Sequence, residues 1–225
     1  MKRYIYIVIL LIMVFLKPVR SQENYWIGLN YNIIFNPDGT ALVIVKLHPF
    51  NVYGESLYND PSIENSLQSS QDRLVGDALL MFDISYTNLK FKVLESLHKN
   101  DEEKVLCDVN NSGKLVELKG AYVLKILVYL NTSRFLKELG NNTYIIEVRD
   151  SYTSMDPRSW IDYINFTFNQ VRLLNYTWKP SFANKPAQVT NNSLIWVNYN
   201  EPEAPDKYIF TLKIPKLEKT QQDIK

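Results

Sequence analysis

One cysteine, Cys107, and four methionines are all the sulfur that 225 residues carry. A disulfide within the chain is therefore excluded, and stability must come from burial alone. Cys107 sits in the apolar stretch Val105–Val109, which suits a small buried hydrophobe. Seven glycines and ten prolines are too few for a collagen-like or low-complexity chain. Charge of one sign is missing too: 25 basic residues face 24 acidic ones, mixed along the chain. No basic block offers itself to nucleic acid and no acidic tail to a basic partner. The two histidines, His48 and His98, stand fifty residues apart, far from metal-ligand spacing. Gly-x-Ser-x-Gly, the Gly-Lys-Ser/Thr phosphate loop and the Gly-x-Gly-x-x-Gly fingerprint are all absent. The sequence thus names no catalytic residue, no cofactor, no metal and no nucleic-acid partner.

What is present begins at the N-terminus. Lys2-Arg3 precede an unbroken apolar run from Tyr4 to Leu16, followed by Lys17-Pro18 and Val19-Arg20-Ser21. Basic start, apolar stretch and smallish residues at −3 and −1 of a cut before Gln22 read as a secretory leader over residues 1–21. As a helix the run would reach roughly 20 Å, against about 30 Å of bilayer hydrocarbon. It is short for a span, although Tyr4 and the stems of the flanking Lys and Arg residues can lengthen it by snorkelling. Cleaved leader and retained N-terminal anchor both put the rest of the chain outside the cytosol. Type IV pilin precursors share the basic start and apolar run, but Tyr4 after Lys2-Arg3 departs from their processing pattern.

Six Asn-x-Ser/Thr sequons follow, at Asn110, Asn131, Asn141, Asn165, Asn175 and Asn191. With 22 Asn and 25 Ser plus Thr, chance would supply about two, so the excess points to N-glycosylation of a surface-exposed chain. Alternation along strands also writes Asn-x-Thr on a polar face, as around Asn165 and Asn175. Either way these asparagines should face water. All six lie after residue 109, leaving a sequon-free first half suited to a partner or a membrane.

Hydrophobic content of 46% and aromatic content of 13% are those of a packed protein. Leu29, Tyr31, Ile33 and Phe35 alternate with Gly28, Asn30, Asn32 and Ile34, Asn36-Pro37-Asp38-Gly39-Thr40 supplies a turn, and Ala41–Leu47 returns as a second strand. After a loop over 48–59, Asp60 and Pro61 form the cap and first residue of an amphipathic helix over about 61–82. Ile63, Leu67, Leu74, Ala78 and Phe82 make its apolar stripe. Short strand candidates then recur over 89–97, 104–109, 114–118, 121–130, 143–149, 160–168, 171–178, 193–199 and 207–214, with a helical turn at 133–139. The pattern predicts a mainly β fold: an antiparallel β-sandwich with one accessory amphipathic helix, as one domain over 22–215. Asp150–Arg158 is a weak seam, and 216–225 reads as a polar tail.

Asn36-Pro37-Asp38-Gly39-Thr40 superficially resembles the phosphatase loop Asp-x-Asp-Gly-Thr, but an amide at 36 cannot form the aspartyl intermediate. His48 and His98 read as solvated turn residues. Among the acids, Asp150, Asp156, Asp162, Glu201, Glu203 and Asp206 fall in or near loops and could include a glycosidase pair. Glu201–Asp206 offers oxygens to calcium without a binding-loop pattern. Trp160, Trp178 and Trp196 fit core positions, whereas Tyr25 and Trp26 suit either first-strand packing or an interfacial anchor.

An Asn- and Tyr-rich, cysteine-poor, sequon-bearing chain behind a leader resembles uncharacterised secreted or cell-surface proteins of archaea, of the thermoacidophilic crenarchaeal type. The resemblance implies a cell-envelope setting. The functional expectation is an extracytosolic binding or structural module whose partner is a cell-surface protein or glycan, touching a membrane only through its N-terminal segment. A carboxylate-dependent glycan-directed hydrolase is the alternative.

Overall fold

The computed structural model describes residues 25–87, 90–110, 112–150, 160–215 and 217. The leader 1–21, the seam residues 151–158 and most of the tail 216–225 lie outside the described residues.

Two sheets face each other. Strand β1 (Tyr25–Phe35) pairs in register with β2 (Thr40–Asn51) through the turn expected at Pro37–Gly39, where Gly39 has φ +82°. β2 pairs with β4 (Val116–Tyr129), and β4 with the edge strand β3 (Phe91–Cys107). On its other side β1 meets β7 (Tyr163–Phe168), which continues to β10 (Ser193–Val197) and the short β9 (Gln188–Val189). The large sheet therefore runs β3-β4-β2-β1-β7-β10-β9. The second sheet has β5 (Leu136–Gly140), β6 (Thr143–Arg149), β11 (Lys207–Lys213) and β8 (Arg172–Lys179), in the order β5-β6-β11-β8. The mainly β sandwich is as the sequence predicts, but its strand pairing is not antiparallel throughout. β1 and β7 are parallel, an arrangement open to them because 127 residues of chain separate Phe35 from Tyr163.

The alternating residues fill the space between the sheets. Tyr31, Ile33, Phe35, Val43, Val45, Phe166 and Trp196 from one side meet Ile146, Val148, Tyr208, Phe210 and Leu212 from the other, all essentially buried. Rings pack at angles there: Phe166 lies 4.7 Å from Phe210 and 5.0 Å from Tyr208, and Trp196 stands edge-on to Phe166 at 5.8 Å. The helical stretch closes one flank, but as two helices. α1 (Pro61–Ser69) is capped by Asp60, whose carboxylate accepts from Ser62 N at 2.8 Å, and α2 (Gln71–Leu80) follows a break at Ser70. Ile63, Leu67, Leu74, Ala78 and Phe82 all point inward. Leu217, assigned to the loose tail, packs against the core as well.

The main surprise is β3 and β4. Sequence reading splits each into two strands; the structure makes each continuous and bends the pair. Successive register shifts in β3, the largest between Asn100 and Lys104, and Gly120 at φ +85° in β4 make a corner. Beyond it the ribbon folds back over the outer face of β1 and β2. Val105 packs on Ala121, Val123 and Ile44, while Cys107 and Val109 pack with Phe50 and Trp26. Tyr58 sits beneath the corner, with its hydroxyl donating to Asp101 Oδ1 at 2.8 Å and its carbonyl accepting from the Tyr122 hydroxyl at 3.0 Å. Gly28 in β1 makes the close approach of the ribbon feasible: a Cβ there would stand 2.7 Å from the Cys107 sulfur. Gly28→Ala should therefore lift the ribbon at a cost of about 1–3 kcal/mol. Denaturant melts together with reaction of Cys107 toward an aromatic disulfide reagent check this. Unchanged stability and an unreactive thiol would contradict the packing account.

Candidate functional site

The strand directions give the sandwich two distinguishable ends. The proximal end holds the start of β1 and the end of β2, where Tyr25 faces Asn51. The distal end holds the β1–β2 turn, where Gly39 lies against Leu217 and its carbonyl accepts from Leu130 N–H. The β5–β6 turn is distal too, since Ile214 N–H donates to the carbonyl of Asn142. So is the β9–β10 turn, whose Asn192 carbonyl accepts from Phe168 N–H opposite the end of β1.

The sequons divide unevenly between these ends. Asn131, Asn141 and Asn191 are distal by those contacts, Asn175 sits in the distal half of β8, and Asn165, in the first half of β7, stands opposite Asn32 past the middle of β1. Asn110, at the tip of the folded ribbon, is proximal. Asn110, Asn141, Asn175 and Asn191 are exposed. Asn131 and Asn165 are half-buried rather than open to water; the Asn165 amide oxygen is itself buried, on a strand paired on both sides.

Beneath the ribbon lies a buried polar seam. Asn30 makes a reciprocal pair with Leu106: its amide donates to the carbonyl at 2.7 Å and its oxygen accepts the N–H at 2.8 Å. Asp162, also buried, accepts Leu29 N–H at 2.8 Å and the backbone N–H of Asp108. Burial pushes the Asp162 carboxyl from 3.8 to about 8, with the Asp108 charge adding to the rise and the backbone donors opposing it. Asp108 goes the other way. Its partial burial would raise it, but N–H groups of Ser112, Gly113 and Asn110 hold it below its ordinary value. Burial, then the charges of Asp162 and Asp108, push the Cys107 thiol up. Opposed acids are what acid–base catalysis uses. In this seam both carboxylates are committed to backbone donors that hold the ribbon tip down, and Asp162 has no solvent face.

His48 departs from its expected place. It is fully buried, not a solvated turn residue. Nδ1 lies 2.7 Å from the Gly120 carbonyl and so carries its proton, leaving Nε2 to accept from the Ser56 hydroxyl at 2.8 Å. Burial lowers the imidazole's pKa, partly offset by the Gly120 bond. The ring stacks on Tyr58 at 5.7 Å. An exposed serine over a neutral histidine is a nucleophile's arrangement, but Ser56 Oγ also accepts Tyr58 N–H at 3.3 Å and serves to fasten loop to corner. Nothing in the sequence marks Ser56 as a partner for a residue eight positions away. His98 is partly exposed beside Glu95 at 3.8 Å, but it lies within strand β3 opposite Val123 and not in a turn.

Of the remaining acids, Asp150 and Asp206 are neighbours, the Asp150 N–H donating to the Asp206 carbonyl at 2.9 Å. Asp150 is buried and accepts Ile161 N–H at 3.4 Å, whereas Glu203 and Asp206 are exposed; Asp156 and the Glu201 side chain lie outside the described residues. Among the described residues no group of three or more His, Cys, Asp or Glu side chains is placed to hold a metal ion. No helix among them is long and apolar enough to cross a membrane.

No family model and no curated protein matches the chain. Among solved structures it is similar to the folded domain of LppM from Mycobacterium tuberculosis, at 11% identity and a TM-score of 0.39, over 90% of this chain and 99% of that one. A likeness that distant carries no functional argument.

Asp162 dictates a pH dependence. Below 3.8 both folded and unfolded chains hold its proton; as pH rises toward about 8 the unfolded chain loses the proton that the fold retains. Stability therefore falls across that window. Asp108, held low, contributes in the opposite sense, at the acid end. Buried His48, held below its ordinary 6.5, also contributes in the opposite sense within the window, so the Asp162 share is read by difference: Asp162→Asn, which cannot ionise, should lack the declining component of the denaturant midpoint between pH 3.8 and about 8. His48→Phe should keep the stacking but leave the Gly120 carbonyl unpaired, costing about 1–3 kcal/mol in the same melts.

Proposed function

We propose that this chain is an extracytosolic binding or structural module of the cell surface, carrying N-linked glycans on the distal part of its sandwich. The observation that carries the reading is the excess of sequons, together with exposure of Asn141, Asn175 and Asn191 in that part. The leader pattern of residues 1–21 supports the same address. A surface module also has to hold its fold outside the cell without disulfides. The buried aromatic core and the folded ribbon offer a means: both faces of the central strand are covered by protein. The hydrolase alternative draws no support from Asp108 and Asp162, whose oxygens are spent on backbone donors. We take binding or assembly, to a surface protein or glycan, as the activity.

Peptide mapping by mass spectrometry of the chain from its native source tests this. Glycan mass on at least two of Asn141, Asn175 and Asn191, in material recovered outside the cytosol, is the expected result. An unmodified chain recovered from the cytoplasm would dismiss it.

A further inference from the structure

The proximal end carries an apolar tip that the core does not absorb. Tyr53 is 79% exposed, Val52 49% and Val116 38%, with Trp26 and Leu118 partly exposed behind them. The two loops belong together: Gly54 lies against Val109 and Asn110 at the ribbon tip. The tip is also braced. Asn51 Oδ1 accepts Tyr53 N–H at 2.9 Å and Glu55 N–H at 3.0 Å, while its amide donates to Glu55 Oε2 at 2.8 Å. Tyr53 and Val52 are thus held outward before any partner arrives, which lowers the ordering cost of a contact.

We infer that this tip rests on a lipid bilayer as a second membrane contact beside the N-terminal apolar run. The inference builds on the cell-surface reading and takes its retained-anchor branch. Three observations identify lipid as the occupant. The apolar run ends at Leu16 and β1 begins at Tyr25, at the foot of the tip. The eight intervening residues reach no more than about 28 Å, so an anchored run keeps this end at the membrane. Five of the six sequons lie toward the other end, where glycans would stand clear of lipid. Finally, Val52, Tyr53 and Val116 are aliphatic or aromatic, with Tyr53 and Trp26 of the type that settles at the headgroup boundary, where the exposed charges on the same loops, Glu55, Lys114 and Glu117, would meet headgroups and water. A 13-residue run is short for the bilayer, and an added apolar contact offsets its weak hold.

A corollary concerns Asn110. A glycan there would stand in the patch, so the contact requires Asn110 bare while the distal sequons are modified.

The test reconstitutes the full chain into phosphatidylcholine vesicles containing a nitroxide-labelled lipid. An environment-sensitive fluorophore is placed on Val52→Cys or, at the distal end, on Leu139→Cys; buried Cys107 stays unlabelled, and the unsubstituted chain measures any background. The fluorophore at 52 should be quenched several-fold more than that at 139, and adding Tyr53→Asp should reduce the difference. Equal quenching at both positions, or a glycan on Asn110 in native membrane-bound protein, overturns the tip contact and leaves the surface module standing. Native protein beginning at Gln22 removes the anchor and overturns the contact likewise. Recovery from cytosol would instead fail the function reading itself.

Discussion

The central strand β1 must be covered on both faces, and the sandwich is arranged around that need. Its inner face carries Leu29, Tyr31, Ile33 and Phe35 into the aromatic core. Its outer face carries Gly28 and Asn30, which a plain two-layer sandwich would leave in water. The chain covers them by bending its own longest ribbon through a corner and laying it back across the sheet. Burying backbone in that position requires partners for each polar group. Asn30 supplies both halves of one pair with Leu106, and Asp162 gathers the N–H groups of Leu29 and Asp108. The charge cost of such a carboxylate is met by keeping its proton, which ties the ribbon to pH. In place of a disulfide the protein uses a polar latch, whose Asp162 half weakens as pH rises and whose Asp108 half weakens in acid.

Local pattern made much of this legible and the corner illegible. The first hairpin, the Asp60 cap, the inward stripe of the helical segment and the alternating strands follow from periodicities of two and 3.6, which need no knowledge of tertiary contacts. The bend in β3 and β4 is different. Gly120 between two apolar stretches looks like the end of a strand, and Lys99–Lys104 looks like a solvated loop. Yet Tyr58, His48 and Lys46 reach them from 43 to 72 residues away and make one bent ribbon. His48 reads as solvated for the same reason, because its burial is supplied by a corner invisible in the local sequence. The parallel pairing of β7 with β1 escapes periodicity altogether, since a strand's alternation is the same in either direction.

The candidate site shows the same division. Sequon positions are a sequence fact, but their polarity along the sandwich emerges only when turns distant in sequence meet: Asn131, Asn141 and Asn191 are brought to one end by three different connections. Asn165 shows why a sequon is not by itself a surface residue. It has neighbours on both sides and a buried amide oxygen.

Polarity also constrains what the molecule can present to a partner. With Asn110 set aside, bulky sugars would occupy the Gly39 end and the flanks near Asn175, leaving the proximal tip and the helical flank as bare protein. The helical flank spends its apolar stripe inward on the core, and its exposed face carries Asp72 and Arg73, which suit water. The tip has done the reverse: its backbone is satisfied internally through Asn51, and its aliphatic and aromatic groups point out. A loop that fixes its own backbone while exposing Val52 and Tyr53 gains nothing for the fold by doing so. That separation makes the tip, and not the better-ordered polar seam, the surface on which contact with another phase is built.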